Sequence, residues 1–396
     1  MDFEAFMKEL DSLKREVDQT VSEEDFKHLK KLEKWGKTCT AFGYATAWVC
    51  PNPFSIVALS LGRLCRWTLL AHPIIHQGYD HVPNIPKKYT SKKFAKGPRR
   101  YIDWFDWMDP EAWAIEHNFL HHFHLGEKKD PDLVETVAES KSSSFFSKPK
   151  RVFAFFGASL CWKAIFYAPS TMKQLQELRN KKAGDFEHVL SEKDLSLFLP
   201  FSKKGREIWK KCWLPYSLIQ FVGVPSLFLP LGISAVVSAS INSILAEVLT
   251  NIHSFLLIVP NHAGDDLYRF ETPSDGRIEF QLRQIIGSTN YTCGGDLNDF
   301  MHGWLNYQIE HHIWPNLTLR QYQRVQPKVK ILCEKYGIPY RQESVFIRGK
   351  KLFDIFIGKT HMKVAQNAKE SIALLSPREP FLEIGHPLDP IVEGSI

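Results

Sequence analysis

Residues 306–315 read NYQIEHHIWP, and within them Gln308, His311 and His312 stand at i, i+3 and i+4. On one helical turn this spacing brings three nitrogen or oxygen donors to nearly the same side. Paired imidazoles on a helix suit a transition metal, but three donors leave a site for two metals incomplete, so partners are required elsewhere. Two earlier stretches qualify, HPIIH at 72–76 and HNFLHH at 117–122. Each sets its first two histidines, His72 and His76 or His117 and His121, four apart. The second adds His122, rotated by about 100° and able to reach another metal. A lone histidine is ordinarily a satisfied core or surface residue. Three clusters separated by hydrophobic segments point instead to a polyhistidine metal site.

The three stretches resemble the histidine boxes of the membrane-bound fatty acyl desaturases. HPIIH is similar to the first box, although Pro73 stands where the family often has aspartate, and HNFLHH is similar to the second. QIEHH resembles the third box in the variant where glutamine replaces the leading histidine, as in front-end acyl desaturases and some sphingolipid desaturases. The resemblance runs from about residue 67 to 340. Asp130-Pro131-Asp132 resembles the Asp-Pro-Asp that often follows the second box, and on physical grounds alone is a turn. His262, in VPNHAGDD, resembles the additional histidine between the second and third boxes. The resemblance implies two irons held by His72, His76, His117, His121, His122, His262, His311 and His312, with Gln308 at the remaining position, where a neutral amide binds weakly or through water. Asp80, Glu116, Asn118 and Glu310 are candidates to orient the imidazoles.

The chain has 396 residues, 44% hydrophobic and 13% aromatic, a composition open to a large soluble enzyme or a membrane protein with aqueous caps. Its seven cysteines are scattered without a C-x-x-C pair, which fits a reducing compartment and argues against thiolate metal sites and disulfides. The net charge is +6, with basic residues beside hydrophobic segments, so an anionic membrane surface is expected as a partner rather than nucleic acid.

Residues 1–37 lack an apolar signal core, and their ten acidic residues argue against a transit peptide. Phe3, Phe6, Met7, Leu10, Leu13 and Val17 mark one face of an amphipathic helix, expected on the membrane or on the catalytic cap. Residues 38–70 are largely apolar and broken by Pro51-Asn52-Pro53. Basic clusters flank both ends while the turn is uncharged, so a hairpin with both ends on the cytoplasmic side is expected rather than one kinked span. Arg63 and Arg66 are uncomfortable there and are expected to snorkel or to mark the membrane edge. A second hairpin is expected from 213–232 and 235–259, joined by a short uncharged turn. Asn242, Glu247 and Asn251 should face its interior, more as packing groups than as a tunnel lining. His253 lies about 13 Å before His262 along a helix, too deep to share its site. Residues 152–168 contain Lys163 and have basic flanks. Were they to cross, the second and third boxes would lie on opposite sides, so an interfacial helix is expected. The tryptophan-rich stretch YIDWFDWMDPEAW at 101–113 reads as an interfacial belt before a substrate wall.

The expected fold is all-α and integral to the membrane, with four transmembrane helices in two hairpins and a cytoplasmic helical cap holding the polyhistidine site. It divides into an amphipathic region at 1–37, a membrane domain at 38–345 and a partly disordered extension at 346–396. Its tail carries His386-Pro387-Leu388, which departs from the His-Pro-Gly-Gly of a fused b-type haem domain. The expected location is the endoplasmic reticulum membrane in a eukaryote and the cell membrane in a bacterium.

Breaking the C–H bond of an unactivated methylene requires a metal that binds dioxygen, and imidazole alone does not choose among iron, copper and zinc. The resemblance implies iron and a reaction using dioxygen and two external electrons to desaturate an acyl lipid or acyl-CoA. The electrons would come from a b-type cytochrome or ferredoxin with its reductase, docked on basic caps. A lipid hydroxylase or carotenoid oxygenase would use a similar site. A metal transporter would carry ligands within its spans or in low-complexity loops. A haem-binding membrane cytochrome needs axial histidines in its spans, where only His253 qualifies.

Overall fold

The structure is a computed structural model that describes residues 2–135, 148–180 and 195–375. Among the described residues it is built of helices and two three-residue strands, Tyr268–Phe270 and Lys363–Ala365, paired in parallel. The extreme C-terminal tail, including His386, lies outside the described residues.

At the place of the first expected hairpin two helices pack side by side, of which the second alone is long and apolar enough to cross a membrane. A helix over Glu23–Ala47 begins at Ser22, where Ser22 and Asp25 cap each other's backbone, and the chain turns at residues 51–53 into a helix over Pro53–Leu64. Asn52 caps the second helix by accepting from Ser55 N at 2.8 Å. Small residues set the approach of the pair: a Cβ added to Gly43 would lie 2.6 Å from Leu59 Cγ. The second helix continues with π-type winding over Cys65–Ala71 into His72–Ile75.

Among the described residues, two helices are long and apolar enough to cross a membrane, Pro53–Ile75 and Ile233–His262. A third candidate is the bent pair Lys148–Ser159 and Lys163–Asn180, whose halves meet at 91°. This differs from the single interfacial helix expected at 152–168. Trp162 donates to Asn251 O and Lys163 N donates to Asn251 Oδ1, so the break is pinned to the Ile233–Ile258 helix. At the place of the second expected hairpin, helical segments spanning Lys203–Ile208 to Val224–Ser226 lead through Gly232, at φ 103°, into Ile233–Ile258, and the latter alone is long and apolar enough to cross a membrane.

Polar side chains between the spans pair with one another. Arg63 donates to Ser243 O (2.8 Å), Ser243 Oγ (2.6 Å) and Glu247 Oε2 (3.2 Å), so its guanidinium turns inward to the neighbouring helix. Glu247 also accepts from Trp107 Nε1 and Tyr216 OH and lies 3.5 Å from Lys163 Nζ, which donates to Asp106. Asn242 donates to Ala47 O and Cys50 O across to the first hairpin. This inward polar face packs helices together, as expected. In the 101–113 stretch Trp104, Met108 and Trp113 are fully buried and Asp106 and Trp107 bond Lys163 and Glu247, while Tyr101 and Ile102 stay exposed.

The amphipathic helix at Phe3–Asp18 packs on the cap. Phe6 meets Tyr336 edge to face at 5.7 Å, and Gln321 donates to Val17 O. The cap consists of Gly276–Ile286, Gln308–Ile313 and Leu319–Lys335, with Val345–Phe356 and Ala368–Leu374 laid across it. Residues 346–375 are thus part of the packed body, with Arg348 and Leu352 in its interior.

Candidate metal centre

His72 and His76 are carried by the C-terminal end of the Pro53–Ile75 helix, His117 and His121 by a segment of π-type winding over Ile115–His121, His122 by the helical turn His122–His124 that follows, His262 by a turn after Ile233–Ile258, and His311 and His312 by Gln308–Ile313. All eight histidines come together in one buried site. His72, His76, His117 and His311 form one compact group and His121, His262 and His312 a second, with the candidate ligand atoms of each within 4.8 Å of one another. His122 joins the groups: its ring stacks on His312 at 4.4 Å and lies 4.7 Å from both His76 and His311.

His117 belongs to the first group and His121 to the second, and the two also meet around Asp132 within the same reach, so this pair, read as one turn apart, links the two groups. The donors of QIEHH also divide. His311 faces the first group, while His312 and Gln308 face the second, with Gln308 Nε2 2.9 Å from His262 Nε2.

The nitrogens aimed inward lack protein partners. His76 Nε2, His311 Nε2, His312 Nε2 and both nitrogens of His122 are buried without a hydrogen bond, as is Gln308 Oε1, and His72 Nε2 points at His117 Nε2 from 3.1 Å. Orphaned donors and acceptors at this density cost several kcal/mol in total unless something binds them. Burial first, then mutual repulsion among imidazoles, holds His76, His117, His122, His311 and His312 well below the ordinary histidine range. They are therefore neutral at physiological pH with lone pairs free, the form that ligates metals. This donor set fits metal binding.

Four of the rings are held from outside, while His117 Nδ1 is buried without a partner. His121 Nδ1 meets Asp130 at 2.9 Å, His312 Nδ1 meets Gln284 Oε1 at 2.9 Å, His311 Nδ1 meets Tyr322 OH at 3.2 Å, and His262 Nδ1 meets Gly287 O at 3.2 Å. Although burial pushes His121 down, Asp130 outweighs it and raises the imidazole. Gln284 also donates to His122 O, tying two boxes together. Trp113 stacks on His117 at 4.6 Å.

Of the four residues expected to orient imidazoles, three do other work. Asp80 accepts from Ser91 N and Oγ, Asn118 donates to Ile75 O at 3.4 Å, and Glu310 accepts from Asn290 and Tyr340 on the far side of its helix, where burial pushes its carboxyl up to about 7. Glu116 is buried beside Asp132. Burial, then the neighbouring carboxylates, raises it well above its usual range, and Asp132 is pushed up to about 6. Asp132 also lies within ligand distance of His117 and His121. Gln284 and Tyr322 were missed because nothing local in sequence marks them. Asp130 had a signal, its place in the Asp-Pro-Asp turn.

His253 and His302 stand outside the site. His253 bonds Met301 O, and His302 bonds Asn298 O.

A family model for fatty acid desaturases matches residues 46–344, most of the chain. The NADPH-dependent stearoyl-CoA 9-desaturase of Mycobacterium tuberculosis is 23% identical over 362 residues, covering 88% of this chain and 77% of that protein. The acyl-lipid (9-3)-desaturase of Physcomitrium patens is 29% identical over 174 residues, 44% of this chain and 29% of that protein. The Delta(5) fatty acid desaturase A of Dictyostelium discoideum is 22% identical over 295 residues, 70% of this chain and 56% of that protein. No solved structure matches the chain. With the family model spanning the segments that carry all eight clustered histidines, the chain belongs to the fatty acid desaturase family, whose members are oxidoreductases.

Proposed function

We propose that this desaturase works through a diiron centre held by His72, His76, His117, His121, His122, His262, His311 and His312, with Gln308 facing the second iron directly or through water. The observation that carries the reading is the pair of histidine groups joined through His122, with their inward nitrogens unpartnered. Two groups of three or four imidazoles suit two ions, and one chamber suits a shared dioxygen. Bound iron would supply dioxygen reduction and removal of two hydrogens from adjacent methylenes, with two electrons delivered from outside.

The chain's own residues supply placement. Asp130, Gln284, Tyr322 and the Gly287 carbonyl fix the imidazole rings, so the inward nitrogens keep one geometry. Trp113 and His117, stacked face to face, close one wall against water. Placement matters because an error of about 1 Å can cost on the order of a hundredfold in rate.

The substrate proposed is an acyl lipid or acyl-CoA, the electron donor a b-type cytochrome or ferredoxin with its reductase, and the double bond a front-end one. The last follows from Gln308 in QIEHH. Four spans in two hairpins would leave the termini and the centre on the cytoplasmic side, in the endoplasmic reticulum of a eukaryote or the cell membrane of a bacterium. Cysteine labelling tests this, with residues 88 and 324 expected on one face and 229 on the other.

Mass spectrometry of the lipid product tests the function. Loss of two hydrogens in the presence of the redox partner is expected, and none without it. Gain of one oxygen as the main product would make the protein a hydroxylase built on the same site.

A further inference from the structure

The family match stops at residue 344, yet the helix that follows reaches back to the loop carrying His262. Arg348 is fully buried, and its guanidinium donates to Ala263 O at 2.8 Å and, more weakly, to Pro260 O at 3.4 and 3.5 Å. Those two carbonyls bracket Asn261 and His262. The same guanidinium pairs with Asp266 Oδ1 at 2.6 Å and Glu343 Oε2 at 3.3 Å, and Lys351 completes the cluster on both carboxylates. Space for it is made by Gly264, where an added Cβ would lie 2.3 Å from Arg348 Nη2.

We infer that Arg348 is a positioning residue for His262, clamping the backbone on both sides of that ligand from a helix beyond the family's common core. It rests on the metal-centre reading above. His262 is otherwise held at its side chain by Gly287 O and Gln308 Nε2, and Asn261 is held by Leu257 O, Leu305 O and Thr289 N. Among the described residues, the Arg348 fork alone ties the carbonyls before and after the pair to one rigid side chain. A planar guanidinium reaches two carbonyls and a carboxylate together, which a lysine ammonium on a flexible stem does not. The second histidine group, His121, His262 and His312, depends on this clamp, whereas His72, His76, His117 and His311 do not touch it.

Anaerobic titration of the purified, metal-free full-length protein with ferrous iron, read by equilibrium binding, tests the inference. Wild type should take two equivalents. Arg348→Lys and Gly264→Ala, which keep the charge and disturb only the clamp, should each weaken the second equivalent by about 10–100-fold and leave the first unchanged, the range typical when a group supporting a ligand is lost. Asn367→Ala, which removes the cap of the Ala368–Leu374 helix farther along the same extension, should bind as wild type. Two unchanged equivalents in both clamp variants would overturn the inference while leaving the metal centre standing. So would an equal loss in Asn367→Ala, since general loosening of the extension would then explain it. A wild type that binds no second equivalent would overturn both.

Discussion

His121 Nδ1 lies 2.9 Å from Asp130 Oδ1, with both side chains 2% exposed. The carboxylate is itself fixed by the backbone N–H groups of Gly126 and Asp132, each at 2.9 Å, so it cannot turn away. The imidazole is thereby held with Nε2 toward His262 and His312. Asp130→Ala should weaken iron binding by about 10–100-fold. Metal affinity measured alongside membrane expression checks this, and unchanged affinity would show that packing alone aligns the ring.

Lys163 is fully buried and meets Asp106 at 2.9 Å and Glu247 at 3.5 Å. Breaking such a pair from one side leaves buried charge uncompensated, so Lys163→Met should cost about 3–5 kcal/mol. The exposed Lys328–Glu16 pair, broken by Lys328→Met, should cost about 1 kcal/mol or less. Denaturant unfolding in detergent measures both. Equal costs would mean that the buried network adds no more than a surface pair.

Acid should loosen the loop that carries His262. Burial pushes the Asp266 carboxyl up, but Arg348 and then Lys351 override it and hold the group at about 2, against 3.8 when free. A depressed carboxylate contributes stability that is full above the free value and is lost as pH falls through the folded one, so the window is about pH 4 to 2. The difference corresponds to about 2 kcal/mol. Metal-free wild type should therefore exceed Asp266→Asn in stability by a constant amount above about pH 5, and the gap should close toward pH 2. A gap that widens on acidification would reverse the sign.

How much of this was legible in sequence depends on how local each signal is. Seven of the eight histidines could be read because each box is a short helical pattern, the eighth, His262, only by family resemblance, and the hairpin turns because prolines and glycine interrupt apolar runs. How the ligands divide between groups was hidden, since spacing within a box does not say which ring of another box each imidazole will meet. Gln284 and Tyr322 were invisible because they reach the site from elements with no histidine of their own. Arg63 and Lys163 looked like obstacles to burial, and their partners Glu247 and Asp106 lie far away in sequence. The contacts of Asp106 and Trp107 within 101–113 were hidden for the same reason.

The central claim is that four segments build one diiron centre, and iron content with product formation tests it most directly. Purified wild type should hold two irons per chain and form alkene with its redox partner. His311→Ala in one group and His121→Ala in the other should each lose iron and turnover while still reaching the membrane, and His361→Ala, at an exposed side chain, should lose neither. Active protein carrying stoichiometric zinc and no iron, or full turnover after His121→Ala, would contradict it.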